Sequence, residues 1–251
     1  GLRTGQKLGR SGLLSVGPVK IMADGSLNTR TAWCCDPYPA MSGPEAHGIA
    51  AHQGAQLRDL MRRAAAGGLK PAVHAIGDRA NAEVLDAFAE VGCGGRIEHA
   101  QLLRRLDVAR FAPLRVTASV QPEHAMDDRD VAERHWPDSY ERAFLLRSLL
   151  AAGARLAFGS DAPVAPLDPW VAIAAAVTRS RDGREPWQAG QAITVRQAIM
   201  ASSRGRLTPR VGEVADLQLV PANPLAVSRD QLRRMPVAAT WLAGRLTHRA
   251  I

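Results

Sequence analysis

An apolar segment stops abruptly at the carboxylate of Asp161 in the stretch Ala157-Phe158-Gly159-Ser160-Asp161-Ala162-Pro163-Val164. Two earlier apolar segments also end in polar residues. Pro71-Ala72-Val73-His74 continues into Ala75-Ile76-Gly77-Asp78, and Gly95-Arg96-Ile97-Glu98-His99 continues into Ala100-Gln101. A short apolar run bounded by a turn is typical of a buried strand. We therefore predict three strands whose polar ends share one site.

Apolar strand candidates alternate with helical stretches up to residue 160. This alternation favours a parallel sheet with functional groups at the carboxyl ends of its strands. An open doubly wound sheet is the alternative, but no Gly-x-Gly-x-x-Gly motif follows any strand, and several polar strand ends suit a barrel better. The predicted strands are 19–23, 71–76, 96–100, 115–120 and 155–160, and the predicted helices are about 56–64, 82–91, 105–112 and 139–152, with a long loop at 123–138.

Two helical segments follow residue 160, and the tail after them changes character. Helical segments at about 168–180 and 194–203 precede a tail in which 213–220 and 237–246 have strand patterns separated by Pro and Asn. We therefore predict an α/β fold in which residues 1–208 form part of a barrel and residues 209–251 form a small all-β appendage.

The composition is that of an ordinary globular protein, with 46% hydrophobic and 22% charged residues. No apolar run approaches the roughly 20 residues of a membrane-spanning helix, and residues 1–4 lack signal-peptide character, so we expect a cytoplasmic protein with no membrane partner. Cys34, Cys35 and Cys93 have neither the number nor the spacing of a disulfide framework or a zinc ribbon.

The net charge of +8 suits nucleic-acid binding only if the cations cluster, because clustered cations attract phosphates. The arginines are scattered and often stand beside an acid, as in Arg58-Asp59 and Asp78-Arg79. No aromatic-interleaved basic strip, zinc finger or P-loop occurs. We therefore expect no nucleic-acid partner.

Lysine is rare in this basic chain, since only Lys7, Lys20 and Lys70 contribute to the 32 Lys and Arg residues. Lys20 lies among apolar neighbours in the strand predicted at 19–23. Unlike a guanidinium, a buried primary amine can lose its proton and react with carbon dioxide or a carbonyl. The alternative is an edge lysine whose charged head reaches solvent.

The polar strand ends carry the ligand types of a metal site. His74 and His99 are 25 residues apart, the spacing expected when one helix and its connections separate two neighbouring strands, and Asp161 follows 62 residues later. Two imidazoles and a carboxylate suit divalent zinc, and the carboxylate can also serve as a general base. The alternative is that the histidines are hydrogen-bonded structural residues and that Asp161 caps a turn.

Five segments, in this order, resemble the amidohydrolase superfamily, and within it the broad group that includes N-substituted formamide deformylases. The tail at 212–217 also resembles the family's return into a β-sandwich, so the similarity extends over nearly the whole chain. Each motif is short, but the ordered set is specific. The segments are Val19-Lys20-Ile21 with Ala23-Asp24-Gly25-Ser26, Val73–Asn81, Arg96–Gln101, Ser119–Pro122 followed by His124, and Phe158–Val164.

The resemblance implies a TIM-type barrel of which this chain supplies strands four to eight, followed by β-sandwich strands. It implies that Lys20, on the fourth strand, is carbamylated and bridges two metals. His74 on the fifth strand and His99 on the sixth would bind one metal. Asp161 on the eighth would bind the other and transfer the proton. The complete family site holds one or two divalent ions, for which zinc is the best candidate and iron and manganese are the alternatives.

The resemblance also implies hydrolysis of an amide or formamide C–N bond in a small molecule. Metal-activated water would attack the carbonyl, and Asp161 would pass a proton to the leaving amine. Gln121 and His124, beyond the seventh strand, would contact the substrate.

The chain departs from the family pattern at the first strand, where the family has a His-x-His. No His-x-His occurs here, and His47 and His52, five residues apart in a Pro- and Gly-rich loop, do not replace it. The missing motif and the start at Gly1 lead us to expect a fragment, a processed product or a truncated reading frame. We expect it to pair with an N-terminal complementing segment or to form a homo-oligomer. The alternative is an inactive scaffold that lacks the first metal site.

Overall fold

The computed structural model describes residues 1–250, in which short strands alternate with helices. In chain order the strands are β1 (Lys7–Leu8), β2 (Leu14–Ser15), β3 (Val19–Met22), β4 (Pro71–Ala75), β5 (Gly95–His99), β6 (Val116–Val120), β7 (Arg155–Phe158), β8 (Leu217–Leu219), β9 (Ala239–Leu242) and β10 (Arg245–Arg249). The helices are α1 (Gly54–Ala66), α2 (Asp78–Val91), α3 (Arg105–Val108), α4 (His124–His135), α5 (Leu146–Ala151), α6 (Pro169–Thr178), α7 (Val195–Ser202) and α8 (Arg229–Arg233).

The described chain forms two compact units. The first comprises residues 1–120 and 127–157, and the second comprises residues 121–126 together with the chain from 158 onwards. The domain boundary between residues 208 and 209 stays a prediction from the sequence.

A sheet of five strands in the order β3-β4-β5-β6-β7 organises the first unit. The pairs β3 with β4, β4 with β5 and β5 with β6 are parallel. Ile21, Val73, Ile97 and Ala118 lie in register across four strands and are all buried. This arrangement confirms the predicted α/β fold and matches part of a TIM-type barrel.

Helices α1 and α2 cover this sheet because each has one apolar face. Leu57 and Met61 are buried on α1, and Leu85 and Phe88 are buried on α2. Helix α2 ends where Gly92 adopts a left-handed conformation (φ 68°) that suits glycine. No helix within residues 1–250 has both the length and the apolar character needed to cross a membrane.

Two local predictions in the first unit are wrong. The helix predicted at 139–152 is instead a 3₁₀ helix at Tyr140–Arg142 followed by α5. The two are separated because Ala143 forms an antiparallel bridge with Leu102 and Phe144 has a left-handed backbone (φ 53°). The loop predicted at 123–138 contains α4. Apart from Met126, the side chains that this helix buries are small or polar, as for Ala125, Asp128 and Ala132, so the sequence lacks the apolar periodicity of a typical helix.

The second unit contains a three-stranded antiparallel sheet in the order β10-β9-β8, which confirms the predicted strands in the tail. The segment 237–246 was predicted as one strand but contains β9 and the start of β10. Ala243 and Gly244 connect them, both with positive φ, as a type I′ hairpin turn requires. Helix α8, which the sequence analysis missed, begins at a capping box made by Ser228 and Gln231.

Candidate metal centre

Two histidines meet at the carboxyl ends of neighbouring strands in the first unit. His74 lies on β4 and His99 is the last residue of β5. Their ring centroids are 4.6 Å apart with an interplanar angle of 68°, and the residues are only 7% and 9% exposed. The pairing of strand ends predicted from the sequence is therefore present for these two residues.

The backbone at the end of β5 departs from regular strand geometry. His99 is in register with Ala75, one position beyond His74, so strict alternation would direct the two imidazoles to opposite faces of the sheet. His99 and Ala100 instead have left-handed φ values of 73° and 43°. Such values are uncommon in residues other than glycine and cluster at functional sites. This local turn accounts for the contact of the His99 ring with His74.

Asp24, directly after β3, is buried and accepts several hydrogen bonds, whereas its sequence context indicates only an Asp-Gly turn. Its carboxylate accepts hydrogen bonds from the amides of Trp33 (2.9 Å), Ile76 (3.0 Å) and Gly77 (2.7 Å). Burial raises the pKa of the Asp24 carboxyl to about 7, against the opposing effect of these three amides. The signal that could have identified Asp24 was its position, since it ends a strand at the same edge as His74.

The His74 ring contacts this turn through Nε2. Nε2 lies 2.9 Å from the backbone oxygen of Gly25 and 3.4 Å from Oδ1 of Asp24. Gly25 itself has no room for a side chain, because a Cβ there would lie 2.0 Å from Oγ1 of Thr31. The turn therefore packs tightly against both the following loop and the His74 ring.

Lys20 lies on the same face of the sheet as His74 but nearer the amino end of its strand. It is in register with Ala72, which precedes His74 by two residues. Its side chain is exposed. The apolar surroundings expected from its sequence neighbours are therefore not observed, and the carbamylation of Lys20 stays a prediction.

A second buried carboxylate supports the carboxyl end of β5. Asp128 of α4 accepts hydrogen bonds from Nδ2 of Asn28 (2.9 Å) and Nε2 of Gln101 (3.1 Å). It thereby ties the loop after β3 to the residues that follow His99. Asp128 was not predicted as a site residue, because its segment has the sequence pattern of a loop.

The histidines that the sequence analysis rejected as replacements for a first-strand pair make backbone contacts. Nδ1 of His47 lies 3.3 Å from the carbonyl oxygen of Cys34, and Nδ1 of His52 lies 2.6 Å from that of Met22. These contacts agree with structural roles for both residues.

The second unit contains the other predicted site residues, Gln121, His124 and Asp161. Gln121 and His124 are each 7% exposed, whereas Asp161 is exposed. A ring nitrogen of His124 and a carboxylate oxygen of Asp161 lie within 4.8 Å of each other. His124 begins α4 and is not the loop residue that was predicted. Asp161, like His99, has a left-handed backbone (φ 54°).

Glu123 anchors the short segment that carries Gln121 and His124. Its buried carboxylate contacts Nη1 of Arg181 at 3.0 Å and Nη1 of Arg233 at 3.0 Å, and it also accepts from Nη2 of Arg233. Two guanidinium groups thus compensate the burial of the Glu123 carboxylate. Without such partners, a buried charge would strongly destabilise the fold.

The donor groups fit a divalent metal in chemical type. The first unit offers two imidazoles in ring contact, and the second offers an imidazole beside a carboxylate. Nitrogen and oxygen donors of this kind bind zinc and related first-row metals. These groups could serve as metal ligands, and a carboxylate among them could also accept a proton.

Comparison with known proteins gives a match over almost the whole chain. A sequence profile of the amidohydrolase family matches residues 2–248. The protein YtcJ of Bacillus subtilis is 31% identical over 252 residues, a region that covers 92% of this chain and 47% of YtcJ. The N-substituted formamide deformylase of Arthrobacter pascens is 27% identical over 236 residues, covering 84% of this chain and 44% of that enzyme.

A solved structure agrees with both the sequence match and the fold. It is an uncharacterised metal-dependent hydrolase from Pyrococcus furiosus, with a TM-score of 0.70 and 35% identity. The match covers 80% of this chain and 41% of that protein. The chain thus spans about half the length of the relatives that it matches.

Proposed function

This chain belongs to the amidohydrolase family, and from that premise we propose that it contributes to a metal-dependent hydrolase of amide or formamide C–N bonds. The observation that carries the proposal is the contact between His74 and His99, whose ring centroids are 4.6 Å apart at the carboxyl ends of adjacent parallel strands. The similarity to an N-substituted formamide deformylase supports this substrate class. The substrate would be a small molecule with an amide-like carbonyl.

In this proposal His74, His99 and Asp161 hold the metal, and Lys20 joins them if its amine is carbamylated. After the exposed ammonium of Lys20 loses a proton, its neutral amine would add to carbon dioxide and release a second proton, giving a carbamate. The carboxylate oxygens of this carbamate are better ligands for a divalent ion than an ammonium. Zinc is the proposed metal because it accepts both imidazole nitrogen and carboxylate oxygen. A bound divalent metal supplies an activated water and polarises the substrate carbonyl.

The protein's own groups then manage the proton and the substrate. Asp161 accepts a proton from the attacking water and donates it to the amine as the C–N bond breaks, so that a carboxylic acid or formate and an amine are released. His124 lies beside Asp161 and would hold the substrate together with Gln121. The alternative is an inactive scaffold that keeps the fold but lacks a complete metal site.

Metal content and hydrolysis together test the proposal. We expect the purified chain to bind zinc at fewer than two equivalents, and we expect alanine at both His74 and His99 to lower the zinc affinity more than 100-fold. The reason is that both imidazoles would be direct ligands, whereas losing a group behind a ligand costs roughly 10 to 100-fold. The measurements are elemental analysis, zinc titration and release of formate from N-benzylformamide.

A matched control is His248→Ala, which removes an exposed imidazole from β10 and should leave zinc binding unchanged. Unchanged zinc affinity in the double variant would contradict the site. A chain that binds no zinc and releases no formate would support the inactive scaffold. Two zinc equivalents with hydrolysis by the chain alone would contradict the expectation of an incomplete site.

We also propose that the chain associates, either with a complementing segment or with itself. In the sheet of the first unit, as described by residues 1–250, β3 and β7 each have a strand neighbour on one side only. Open strand edges promote pairing with another chain. We expect sedimentation velocity to report a dimer or larger species at micromolar concentration. A monomer that melts cooperatively would contradict this expectation.

A further inference from the structure

The turn after β3 places a backbone carbonyl oxygen against Nε2 of His74. The nearer partner is the backbone oxygen of Gly25 at 2.9 Å, and the other is Oδ1 of Asp24 at 3.4 Å. A backbone carbonyl cannot donate a hydrogen bond. Nε2 must therefore carry the hydrogen that lies between it and Gly25, and in a neutral imidazole this leaves the lone pair on Nδ1.

From this geometry we propose that Asp24 and Gly25 form a positioning element that fixes the tautomer and the orientation of His74 so that Nδ1 can bind metal. This inference rests on the proposed function, because it names Nδ1 as the metal-binding nitrogen of His74 and Asp24 and Gly25 as the residues that support this ligand. It assigns a role to the Asp24-Gly25 pair. A group that holds the second ring nitrogen of a metal-binding histidine sets both the tautomer and the ring plane.

The turn is built to keep these acceptors in place. The Asp24 carboxylate accepts from three backbone amides, those of Trp33, Ile76 and Gly77, and so links the ends of β3 and β4. Both of its oxygens take part in these bonds. Rotation of the Asp24 side chain away from His74 would therefore break several hydrogen bonds at once.

Gly25 is held from the other side by Thr31. The amide of Gly25 donates to the backbone oxygen of Thr31 at 3.2 Å, and the amide of Ser26 donates to Oγ1 of Thr31 at 3.0 Å. A Cβ at Gly25 would lie 2.0 Å from that Oγ1. Only glycine fits this close approach. A larger residue at position 25 would have to move away from Thr31, and this movement would turn the carbonyl away from His74.

The tautomer of His74 can be read directly by nuclear magnetic resonance in the unmodified chain. Long-range ¹H–¹⁵N correlation spectra distinguish an imidazole protonated on Nε2 from one protonated on Nδ1. The chain has seven histidines, so the His74 pattern is assigned by its disappearance in His74→Gln. We expect the Nε2–H pattern for His74. The Nδ1–H pattern, or rapid exchange between the two tautomers, would overturn the inference.

Asp24→Asn tests the positioning role. Because an amide side chain replaces one acceptor oxygen with a donor, we expect a mixture of His74 tautomers and a loss of zinc affinity of about 10 to 100-fold. The control is Asp59→Asn, which alters an exposed carboxylate paired with Arg63 on α1 and should change neither result. An unchanged tautomer and unchanged zinc affinity in folded Asp24→Asn would contradict the positioning role.

The outcomes separate this inference from the proposed function. If Asp24→Asn does not fold, the spectrum of the unmodified chain still decides the tautomer. A chain that binds zinc but has His74 protonated on Nδ1 contradicts the positioning element and leaves the hydrolase proposal standing. A chain with the Nε2–H tautomer that binds no zinc contradicts the metal site, while the orientation of the ring by this turn is retained.

Discussion

Replacing Gly77 with alanine is expected to destabilise the first unit by about 3 kcal/mol, the upper part of the range for overpacked sites. A Cβ at Gly77 would lie 2.0 Å from the backbone oxygen and 2.4 Å from the backbone carbon of Trp33. Backbone atoms cannot move aside as a flexible side chain can. Residue 77 would have to shift to relieve this contact, and its movement would disturb the hydrogen bond from the Gly77 amide to Asp24.

Urea denaturation followed by circular dichroism measures this effect through the transition midpoint. The matched control is Gly17→Ala in the same unit, because no heavy atom lies within 4 Å of a Cβ at Gly17 and its φ is not in the left-handed region. Equal midpoints for the two variants would contradict the close approach between Gly77 and Trp33. A loss confined to Gly77→Ala would support it.

The parallel sheet was predictable because its signal is local. The segments that form β4 and β5 are short apolar runs bounded by turns, and their ends carry His74 and His99. Residues at the ends of parallel strands share one edge, so the neighbourhood of these histidines followed from topology. Their ring contact did not, since it depends on the left-handed backbone at His99, which neighbouring residues alone do not specify.

The errors arose where distant residues determine the local structure. Phe144 donates its amide to the backbone oxygen of Gln101, and this contact interrupts the helix predicted at 139–152, so that α5 begins only at Leu146. Helix α4 was missed because its buried Asp128 is compensated by Asn28 and Gln101, far away in sequence. A polar residue that is buried through such partners cannot be distinguished from an exposed one by periodicity alone.

The residues that support the candidate ligands could not be predicted from the sequence either. Asp24 looks like a turn residue in sequence, and its importance comes from amide donors at Ile76 and Gly77, about fifty residues away. By contrast, Ser228 and Gln231 form a capping box whose spacing was readable, so α8 could have been found. Candidate ligands such as His74 are therefore easier to predict from the sequence than the groups that orient them.

Asp161→Asn is expected to lower the rate of amide hydrolysis by about 10² to 10⁴-fold, the usual contribution of a positioned general acid or base. The substitution removes the proton-accepting carboxylate but retains a side-chain oxygen and nearly the same volume. The left-handed backbone at Asp161 (φ 54°) is one that asparagine tolerates well. The loss should therefore be chemical, with little change in stability. The measurement is kcat for formamide hydrolysis by the active assembly of the chain.

Asp182→Asn is the matched control for this result. Asp182 lies in the same unit, has the same left-handed backbone (φ 56°), and makes a surface ion pair with Arg181 at 3.2 Å. Because exposed pairs of this kind contribute about 0 to 1 kcal/mol, the control should keep both kcat and stability. If Asp161→Asn retained full activity, proton transfer would have to be assigned to another group. If it lost activity together with its cooperative unfolding transition, the residue would be structural, and the turn-cap interpretation of Asp161 would replace the catalytic one.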